Sequence, residues 1–200
     1  LELRVIHGPT GSGKSGLLGA LGRAGAQVLD LETLAAHRGS VLGNRPDRPQ
    51  PSQKMFESLV LQELSGVQAE KPVYVEGESK KIGELQVPEA LMTRMRASPC
   101  VVLDAPIEVR VDLLLDEYRH FLSDPAALNK QLDCLVALHG RDKIAAWKSL
   151  AAARNASRAY RCRAGLVAQA ASGETGPPAP SVEDQPAEAV ERVEVAAVGR

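Results

Sequence analysis

The chain has 200 residues, of which 44% are hydrophobic and 3% aromatic, and its formal net charge is −1. This length can form one domain whose core consists of Leu, Val, Ala and Ile, and no apolar run approaches the roughly 18 residues of a membrane span. The sequence enters a predicted strand at once and begins with Leu1, so we expect no signal peptide, a cytoplasmic location and a segment of a longer protein.

The first predicted elements are a strand over residues 3–7 and a helix over 13–24. Residues 8–15, between them, fit the pattern G-x-x-x-x-G-K-[ST], in which backbone N–H groups and a helix N-terminus bind phosphate. The lysine of this pattern reaches the outer phosphates, and the final hydroxyl holds a magnesium ion. An ordinary glycine-rich turn is the alternative, but both flanks favour a site for a phosphorylated ligand and Mg²⁺. Its predicted binding residues are Gly8, Thr10, Gly11, Ser12, Gly13, Lys14 and Ser15.

Strands and helices alternate through residue 104, which is typical of an α/β fold with a parallel sheet flanked by helices. Further strands are predicted at 27–31, 72–76 and 100–104. Helices are predicted at 33–38, at 53–64 and from Pro88 onward, and the helix at 53–64 begins after an N-cap at Ser52. Its inward-facing residues are predicted to be Met55, Phe56, Leu59, Val60 and Leu64. The pattern then stays helical from about 107 to 160, with Gly140 as a helix stop. We therefore predict a P-loop NTPase-like domain over residues 1–163.

Residues 164–200 form a tail rich in Pro, Gly and Glu. Such a composition buries too little apolar surface to offset the loss of chain entropy, so we expect most of this tail to be disordered. The alternative is a late strand through Val193, Val195 and Val198. The three cysteines have neither CxxC nor metal-ligand spacing, and we expect free buried thiols at Cys100, Cys134 and Cys162.

Acidic residues follow three predicted strands, at the sheet edge where parallel α/β folds bind ligands. They are Asp30 with Glu32, Glu76 with Glu78, and Asp104. A carboxylate here can organise the magnesium ion of a bound nucleotide or activate water. Glu76 fits this role best and Glu78 is close behind, although a surface carboxylate that ends a strand is the alternative for each.

Positive charge is also needed, because a transferring or departing phosphate accumulates negative charge. Arg110 can approach the ligand from the helix after the fourth strand. The other candidates are Arg38, Lys54, Lys80 and Lys81, and each of the five basic residues, Arg110 included, can instead be a solvent-facing charge. His37 and His139 are weaker acid–base candidates, since loop or core histidines are commoner. Phe56 and Trp147 are predicted to be core residues.

Residues 141–163 contain seven basic residues and one acidic residue. This basic segment either binds a nucleic-acid phosphate backbone or is a solvated helix face, and the sequence alone favours the solvated face. Its basic residues are Arg141, Lys143, Lys148, Arg154, Arg158, Arg161 and Arg163.

Several stretches in this order resemble the C-terminal phosphate-loop domain of bacterial tRNA 2-selenouridine synthase. They are HRGS at 37–40, QPSQKMFE at 50–57 and VEGESKKIG at 75–83, together with the loop at 8–15, VLDLE at 28–32, and DAP at 104–106 followed by Arg110 and Val111. The resemblance covers residues 3 to about 150. The phosphate loop occurs in many families, whereas the three middle stretches are more specific.

The resemblance implies an enzyme that geranylates and then selenates wobble 2-thiouridine in tRNA. Its partners would be tRNA and an N-terminal rhodanese-like domain with a catalytic cysteine, which this chain lacks. The phosphate loop would bind geranyl diphosphate, selenophosphate or a nucleotide. By this resemblance Lys14, Glu76, Glu78 and Arg110 would be catalytic, Arg38 and Lys54 would balance charge, and Ser15 and Glu76 would hold the metal.

Two other functions fit the same residues. A small-molecule P-loop kinase or ATPase would use the segment from residue 101 to Arg110 as the start of an arginine-bearing lid, with Asp30 as a base for an acceptor hydroxyl. A tRNA-docking module without catalysis would bind through the basic segment, and its affinity would fall steeply with salt.

Overall fold

The computed structural model describes residues 1–39, 43–45, 48–117, 125–152 and 190–194. Its strands are β1 (Leu3–His7), β2 (Gln27–Leu29), β3 (Val73–Glu76), β4 (Lys81–Ile82), β5 (Leu85–Gln86), β6 (Cys100–Asp104) and β7 (Val190–Glu194). Its helices are α1 (Lys14–Arg23), α2 (Leu31–Leu34), α3 (Gln53–Ser65), α4 (Glu89–Arg96), α5 (Ile107–Glu117), α6 (Pro125–Cys134), α7 (Val136–His139) and α8 (Arg141–Ala152). Among these described helices, none has the length and apolar character that crossing a bilayer requires.

Five strands form one parallel sheet in the order β2-β3-β1-β6-β7, and β4 and β5 form a separate antiparallel hairpin. The central strand β1 pairs with β3 from Leu3 opposite Val73, and with β6 from Val5 opposite Cys100. Because all five strands are parallel, their carboxyl ends lie at one edge, where residues 8–15 leave β1. The prediction of an α/β fold with a parallel sheet and flanking helices is confirmed.

Alternation along β1 places apolar side chains on both faces of the sheet. Leu3 and Val5 join one core cluster, which also contains Phe56 of α3 and Met92 of α4. Ile6 joins a second cluster on the other face with Leu18 of α1 and Leu103 of β6. Helices on both faces therefore hold β1, and the loop that follows it, in a fixed position.

The structure corrects the predicted burial of one side chain and the predicted ends of one strand and one helix. Met55 was predicted to face inward but is 51% exposed, because α3 packs through a narrow face centred on Phe56 and Val60. The second strand ends at Leu29 rather than Leu31, since the Asp30 side chain accepts a hydrogen bond from Thr33 N at 2.8 Å and caps α2. Helix α2 therefore covers Leu31–Leu34, earlier than predicted.

The hairpin of β4 and β5 was not predicted, and two glutamines attach it to the domain. Gln50 Nε2 donates to Ala35 O at 3.1 Å and to Ile82 O at 3.0 Å, while its Oε1 accepts from Glu84 N at 2.8 Å. Gln53 bonds both backbone groups of Gln86 at 2.9 Å. These glutamines lie in one of the stretches that carry the family resemblance, and their contacts give that stretch a structural role.

The tail contributes a strand at Val190–Glu194, which contains Val193 of the late-strand alternative. Val195 and Val198 lie outside the described residues, as does most of the tail that was expected to be disordered. Strand β7 pairs with β6 from Cys100 opposite Val190 to Asp104 opposite Glu194. Pairing with the edge of β6 gives the backbone N–H and C=O groups of β7 hydrogen-bond partners. Composition alone does not predict a pairing between such distant residues. The predicted domain boundary at residues 163 and 164 lies outside the described residues.

Helices α6, α7 and α8 pack on one another through Leu128, Leu132, Ile144 and Trp147, all of which are buried. Gly140, with φ 82°, ends α7 as predicted. Of the cysteines, Cys100 is free and buried, and burial raises the pKa of its thiol. Cys134 is also free but exposed, contrary to expectation, and Cys162 lies outside the described residues.

Candidate functional site

The phosphate loop, residues 8–15, connects β1 directly to α1. Gly11 has φ 80° and Gly13 has φ 90°, left-handed conformations that favour glycine. Ser12 N donates to Pro9 O at 3.0 Å, and Leu17 N donates to Gly13 O at 2.9 Å as the helix starts. Gly13 is the N-cap of α1 and has no side chain with which to bond the N–H groups of the first turn. Those N–H groups and the helix dipole create a site for an anion.

Lys14 and Ser12 have different positions in this loop. Lys14 Nζ donates to Gly8 O at 3.0 Å, so the ammonium group lies against the phosphate loop. Ser12 is fully buried, and a Cβ atom added to Gly8 would clash with its hydroxyl oxygen. The Lys14 ammonium group therefore bonds the first residue of the loop, whereas the Ser12 hydroxyl packs inside the loop.

Helix α5 supports the loop from the other side. Arg110 Nε donates to Thr10 O at 2.9 Å. A Cβ atom on Gly11 would lie 2.7 Å from Leu114 Cγ and 2.9 Å from Arg110 O, and one on Gly13 would lie 3.4 Å from Leu113 Cδ1. The structure thus brings Arg110 to the phosphate loop, and α5 packs so closely that glycine is required at position 11.

Three carboxylates, which we call the carboxylate cluster, lie beside the start of α1: Glu32 of α2, Glu76 at the end of β3 and Glu78 just after it. Their nearest oxygens all lie within 4.8 Å of one another. Glu76 is fully buried and Glu78 is 8% exposed. Ser15 Oγ donates to Glu32 Oε2 at 3.4 Å, which connects the cluster to the phosphate loop. Of the acids predicted at strand ends, the structure therefore gathers these three.

The electrostatics of Glu78 follow from its surroundings. Burial raises its pKa from the ordinary 4.5 to about 7, and the negative charge of Glu76 contributes in the same direction while Lys14 opposes it. The Glu78 carboxyl therefore holds a proton more readily than an exposed glutamate does. A group with this pKa can give or take a proton without a large energetic cost.

Two histidines border the site. His7, at the end of β1, is buried, and a Cβ atom on Gly77 would lie 2.6 Å from its Nδ1. Burial lowers the pKa of His7, and the charge of Lys14 adds to this effect. His7 was not predicted from the sequence as a site residue, although a polar residue that ends an apolar strand just before the phosphate loop was a usable signal.

His37 is buried in the segment after α2. Its Nδ1 accepts a hydrogen bond from Gly39 N at 3.1 Å. Burial lowers its pKa, against the opposing charge of Glu84. These contacts fit a neutral histidine whose ring holds the backbone at Gly39 in place. The next residue, Arg38, is half-buried, and its backbone N donates to Gly43 O at 2.9 Å. Arg38 directly precedes Gly39, whose backbone lies against the carboxylate cluster.

The remaining candidates are engaged elsewhere or exposed. Lys80 pairs with Glu89 at 2.8 Å and Lys81 with Glu84 at 3.4 Å on the surface. Lys54 is exposed on α3, Asp104 is exposed at the end of β6, Asp30 caps α2, and the rings of His139 and Trp147 lie 5.1 Å apart. The structure thus supports the structural alternatives for Lys80, Lys81 and Asp30.

The basic segment is described only as far as residue 152. Lys148 Nζ donates to Asp133 Oδ1 at 2.5 Å, and Lys143 Nζ lies 5.3 Å from the centroid of the Trp147 ring. Arg141 is exposed, while Arg154, Arg158, Arg161 and Arg163 lie outside the described residues. Two of the three described cations therefore have partners within the chain.

A parallel sheet with a glycine-rich anion loop after its central strand, and acids at the same edge, defines a P-loop domain of the NTPase type. The chain belongs to the family of the tRNA 2-selenouridine synthase AAA domain, whose family model matches residues 1–139. This finding confirms the family resemblance drawn from the sequence.

Individual relatives agree with this assignment. The chain is 42% identical over 122 residues to the tRNA 2-selenouridine synthase of Bdellovibrio bacteriovorus, a match that covers 58% of this chain and 31% of the relative. The enzymes of the same name from Nitrosomonas europaea and Shewanella sediminis are 39% and 42% identical over 120 residues, covering 58% and 59% of this chain and 31% of each relative. The chain thus spans about a third of the length of these relatives.

Among solved structures, TT1252 from Thermus thermophilus matches 84% of this chain and 95% of its own length. Its TM-score is 0.34 and its sequence identity is 18%, which is too weak a similarity for a comparison of the two folds.

Proposed function

We propose that this chain is the phosphate-loop domain of a cytoplasmic enzyme that geranylates and then selenates wobble 2-thiouridine in tRNA, and that it binds the phosphorylated donor. One observation carries the proposal: a loop of oriented N–H groups and Lys14 lies next to three carboxylates and the Ser15 hydroxyl. Family membership and the names of the relatives support tRNA as the substrate. A rhodanese-like domain outside this chain would supply the catalytic cysteine.

The donor must lose a phosphorus-containing group, and this step sets what the site has to do. When the sulfur of 2-thiouridine attacks the geranyl carbon, a C–S bond forms, the C–O bond to the diphosphate breaks and the electron pair leaves with the diphosphate. The N3 proton of the base is then released to water, which leaves the alkylated base neutral. Donors aimed at the departing oxygens stabilise the charge that develops on them. In this chain those donors are the N–H groups of the phosphate loop and Lys14, while Arg110 holds the loop through Thr10 O.

The residues beside the loop fit a magnesium ion. Carboxylate and hydroxyl oxygens are the hard ligands that Mg²⁺ prefers, and Ser15 and Glu76 are the residues that would hold it. When bound, the ion supplies positive charge that shields the phosphate oxygens. The chain's own part is to hold these oxygens in place beside the phosphate loop.

Calorimetric titration of the 200-residue chain with geranyl diphosphate, pyrophosphate, ATP, GTP and tRNA tests the proposal. We expect geranyl diphosphate to bind and Lys14→Ala to weaken that binding by about 10–100-fold, because a hydrogen bond to a charged group contributes about 1.5–3 kcal/mol. Lys71→Ala, at an exposed lysine just before β3, is the matched control and should bind like the wild type. Unchanged binding by Lys14→Ala would contradict the proposal.

The kinase alternative is tested in the same preparation with ATP and small acceptors. Asp30, the base that this alternative requires, bonds both Thr33 N at 2.8 Å and Thr33 Oγ1 at 2.7 Å, which disfavours it. Phosphorylation of one acceptor, with no binding of geranyl diphosphate or tRNA, would favour the kinase.

A further inference from the structure

Leu113 is an exposed apolar residue that lies against the phosphate loop. It is 39% exposed, whereas Leu114, the next residue of α5, is fully buried. A Cβ atom on Gly13 would lie 3.4 Å from Leu113 Cδ1, so one methyl group of Leu113 is next to the N-cap of α1. Leu113 therefore leaves an open apolar surface beside the N–H groups that attract an anion.

The geometry of α5 explains why these two neighbours differ. Residues three and four apart share one face of a helix, so Arg110, Leu113 and Leu114 all face the phosphate loop. Arg110 bonds Thr10 O, and Leu114 packs at Gly11. Leu113 lies at the border of this face, where part of its side chain stays open to solvent.

The surroundings of Leu113 divide the ligand site into a polar part and an apolar part. The N–H groups of the first turn of α1 and the Lys14 ammonium group attract an anion. Leu113 offers methyl groups directly beside them, and an apolar ligand group that displaces water from such a surface gains free energy. A ligand that uses both parts has an anionic head attached to a hydrocarbon chain.

The described aromatic residues do not offer a platform for a nucleobase at this place. A base binds to protein by stacking on an aromatic ring. Among the residues that the structure describes, Phe56 belongs to the core cluster on the other side of the sheet, Trp147 is buried among α6, α7 and α8, and Tyr74 packs against the cluster of Ile6. An aliphatic chain therefore fits the surface of Leu113 better than a base does.

We propose that Leu113 binds the hydrocarbon chain of a prenyl diphosphate whose diphosphate occupies the phosphate loop, and that this contact selects the prenyl donor over pyrophosphate and nucleotides. The inference rests on the proposed function, because it assigns a residue to the part of geranyl diphosphate that the loop itself does not hold. It also distinguishes between the phosphorylated donors, since selenophosphate has no apolar group to place against Leu113.

Calorimetric titration of the 200-residue chain with geranyl diphosphate and with pyrophosphate, both in the presence of Mg²⁺, tests the inference through the ratio of the two affinities. We expect the wild type to bind geranyl diphosphate at least about tenfold more tightly, because its chain buries apolar surface. Leu113→Ser should lower this ratio at least about fivefold and leave the pyrophosphate affinity within about twofold. Leu61→Ser, at a residue of α3 that is 67% exposed, is the matched control and should keep the wild-type ratio.

Leu113→Met is the second variant, because it keeps an apolar side chain of similar volume. It should keep the ratio of the two affinities within about twofold of the wild type. ATP is titrated in parallel, and any binding of ATP should change less than about twofold in Leu113→Ser, since a nucleotide has no hydrocarbon chain. Thermal unfolding monitors the folding of all variants.

The assignment is overturned if the wild type binds geranyl diphosphate and pyrophosphate equally tightly, or if Leu113→Ser has the same ratio as the wild type. Equal losses for both ligands, or a loss for ATP as large as for geranyl diphosphate, would also overturn it.

This failure is distinguishable from failure of the proposed function. If only the inference fails, geranyl diphosphate still binds in a manner that depends on Lys14 but not on Leu113. If the proposed function fails, Lys14→Ala binds geranyl diphosphate like the wild type, or the wild type does not bind it.

Discussion

The two halves of the candidate site use different parts of the polypeptide. The phosphate loop offers backbone N–H groups from consecutive residues and a single ammonium group, so it attracts anions. The carboxylate cluster offers only side-chain oxygens, and they come from α2, from β3 and from the turn after β3. Changes to glycines should therefore damage the first half through its backbone, whereas changes to carboxyl groups should act on the second half through charge.

The largest effect is expected for Gly11→Ala. The new Cβ atom would lie 2.7 Å from Leu114 Cγ at a residue with φ 80°, so overpacking and a left-handed backbone act together. We expect the free energy of unfolding to fall by about 4 kcal/mol, measured by urea denaturation. Gly25→Ala keeps the strain without the clash and should cost about 1 kcal/mol. Equal losses in the two variants would show that α5 does not press on the loop.

A smaller effect is expected at Glu78, and it depends on pH. The folded-state pKa of about 7 exceeds the ordinary 4.5, so the folded chain holds the proton more tightly than the unfolded chain. The stability from this group is present below pH 4.5 and is lost as the pH rises through 7. The loss is on the order of 3 kcal/mol for the metal-free chain.

Glu78→Gln should remove most of this dependence between pH 5 and pH 8 in urea denaturation without divalent metal. Glu63→Gln, at an exposed residue of α3, should keep the pH dependence of the wild type. An unchanged dependence of the unfolding free energy on pH in Glu78→Gln would mean that the pKa of Glu78 is not raised in the folded chain.

The smallest effect is expected for Arg110→Lys, which keeps the charge but lacks the Nε donor that bonds Thr10 O at 2.9 Å. Loss of one hydrogen bond should lower the free energy of unfolding by about 1 kcal/mol. Arg96→Lys, in an exposed pair with Glu89 at 3.8 Å, should change it by less than about 0.5 kcal/mol. If both variants lose equally little, α5 holds the loop through Leu114 packing alone.

The same contrast explains what the sequence could predict. The phosphate loop is contiguous, and its flanking strand and helix have clear periodicity, so its position and its glycines were evident. Glu76 and Glu78 were predicted because acids after an apolar strand must lie at the carboxyl edge of the sheet. Glu32 was harder, since only the cap formed by Asp30 shows that Glu32 belongs to a helix and faces Ser15.

Contacts between distant residues account for what was missed. The β4–β5 hairpin has two-residue strands that depend on the Gln50 and Gln53 side chains, more than thirty residues earlier, for their hydrogen bonds. Strand β7 depends on the edge of β6, about ninety residues away. Strands β4 and β5 are too short to be separated from a loop in a single sequence, and three of the five residues of β7 are charged, so it lacks a clear apolar alternation.

Strand β7 also covers the edge of the parallel sheet formed by β6. Because it runs parallel to β6, with Glu194 opposite Asp104, its carboxyl end lies at the sheet edge at which the phosphate loop opens. Any shortened version that stops before residue 190 would leave β6 as an unprotected border, ready to recruit a strand from another molecule. Proteins cut there for crystallisation should be checked for self-association before their ligand affinities are interpreted.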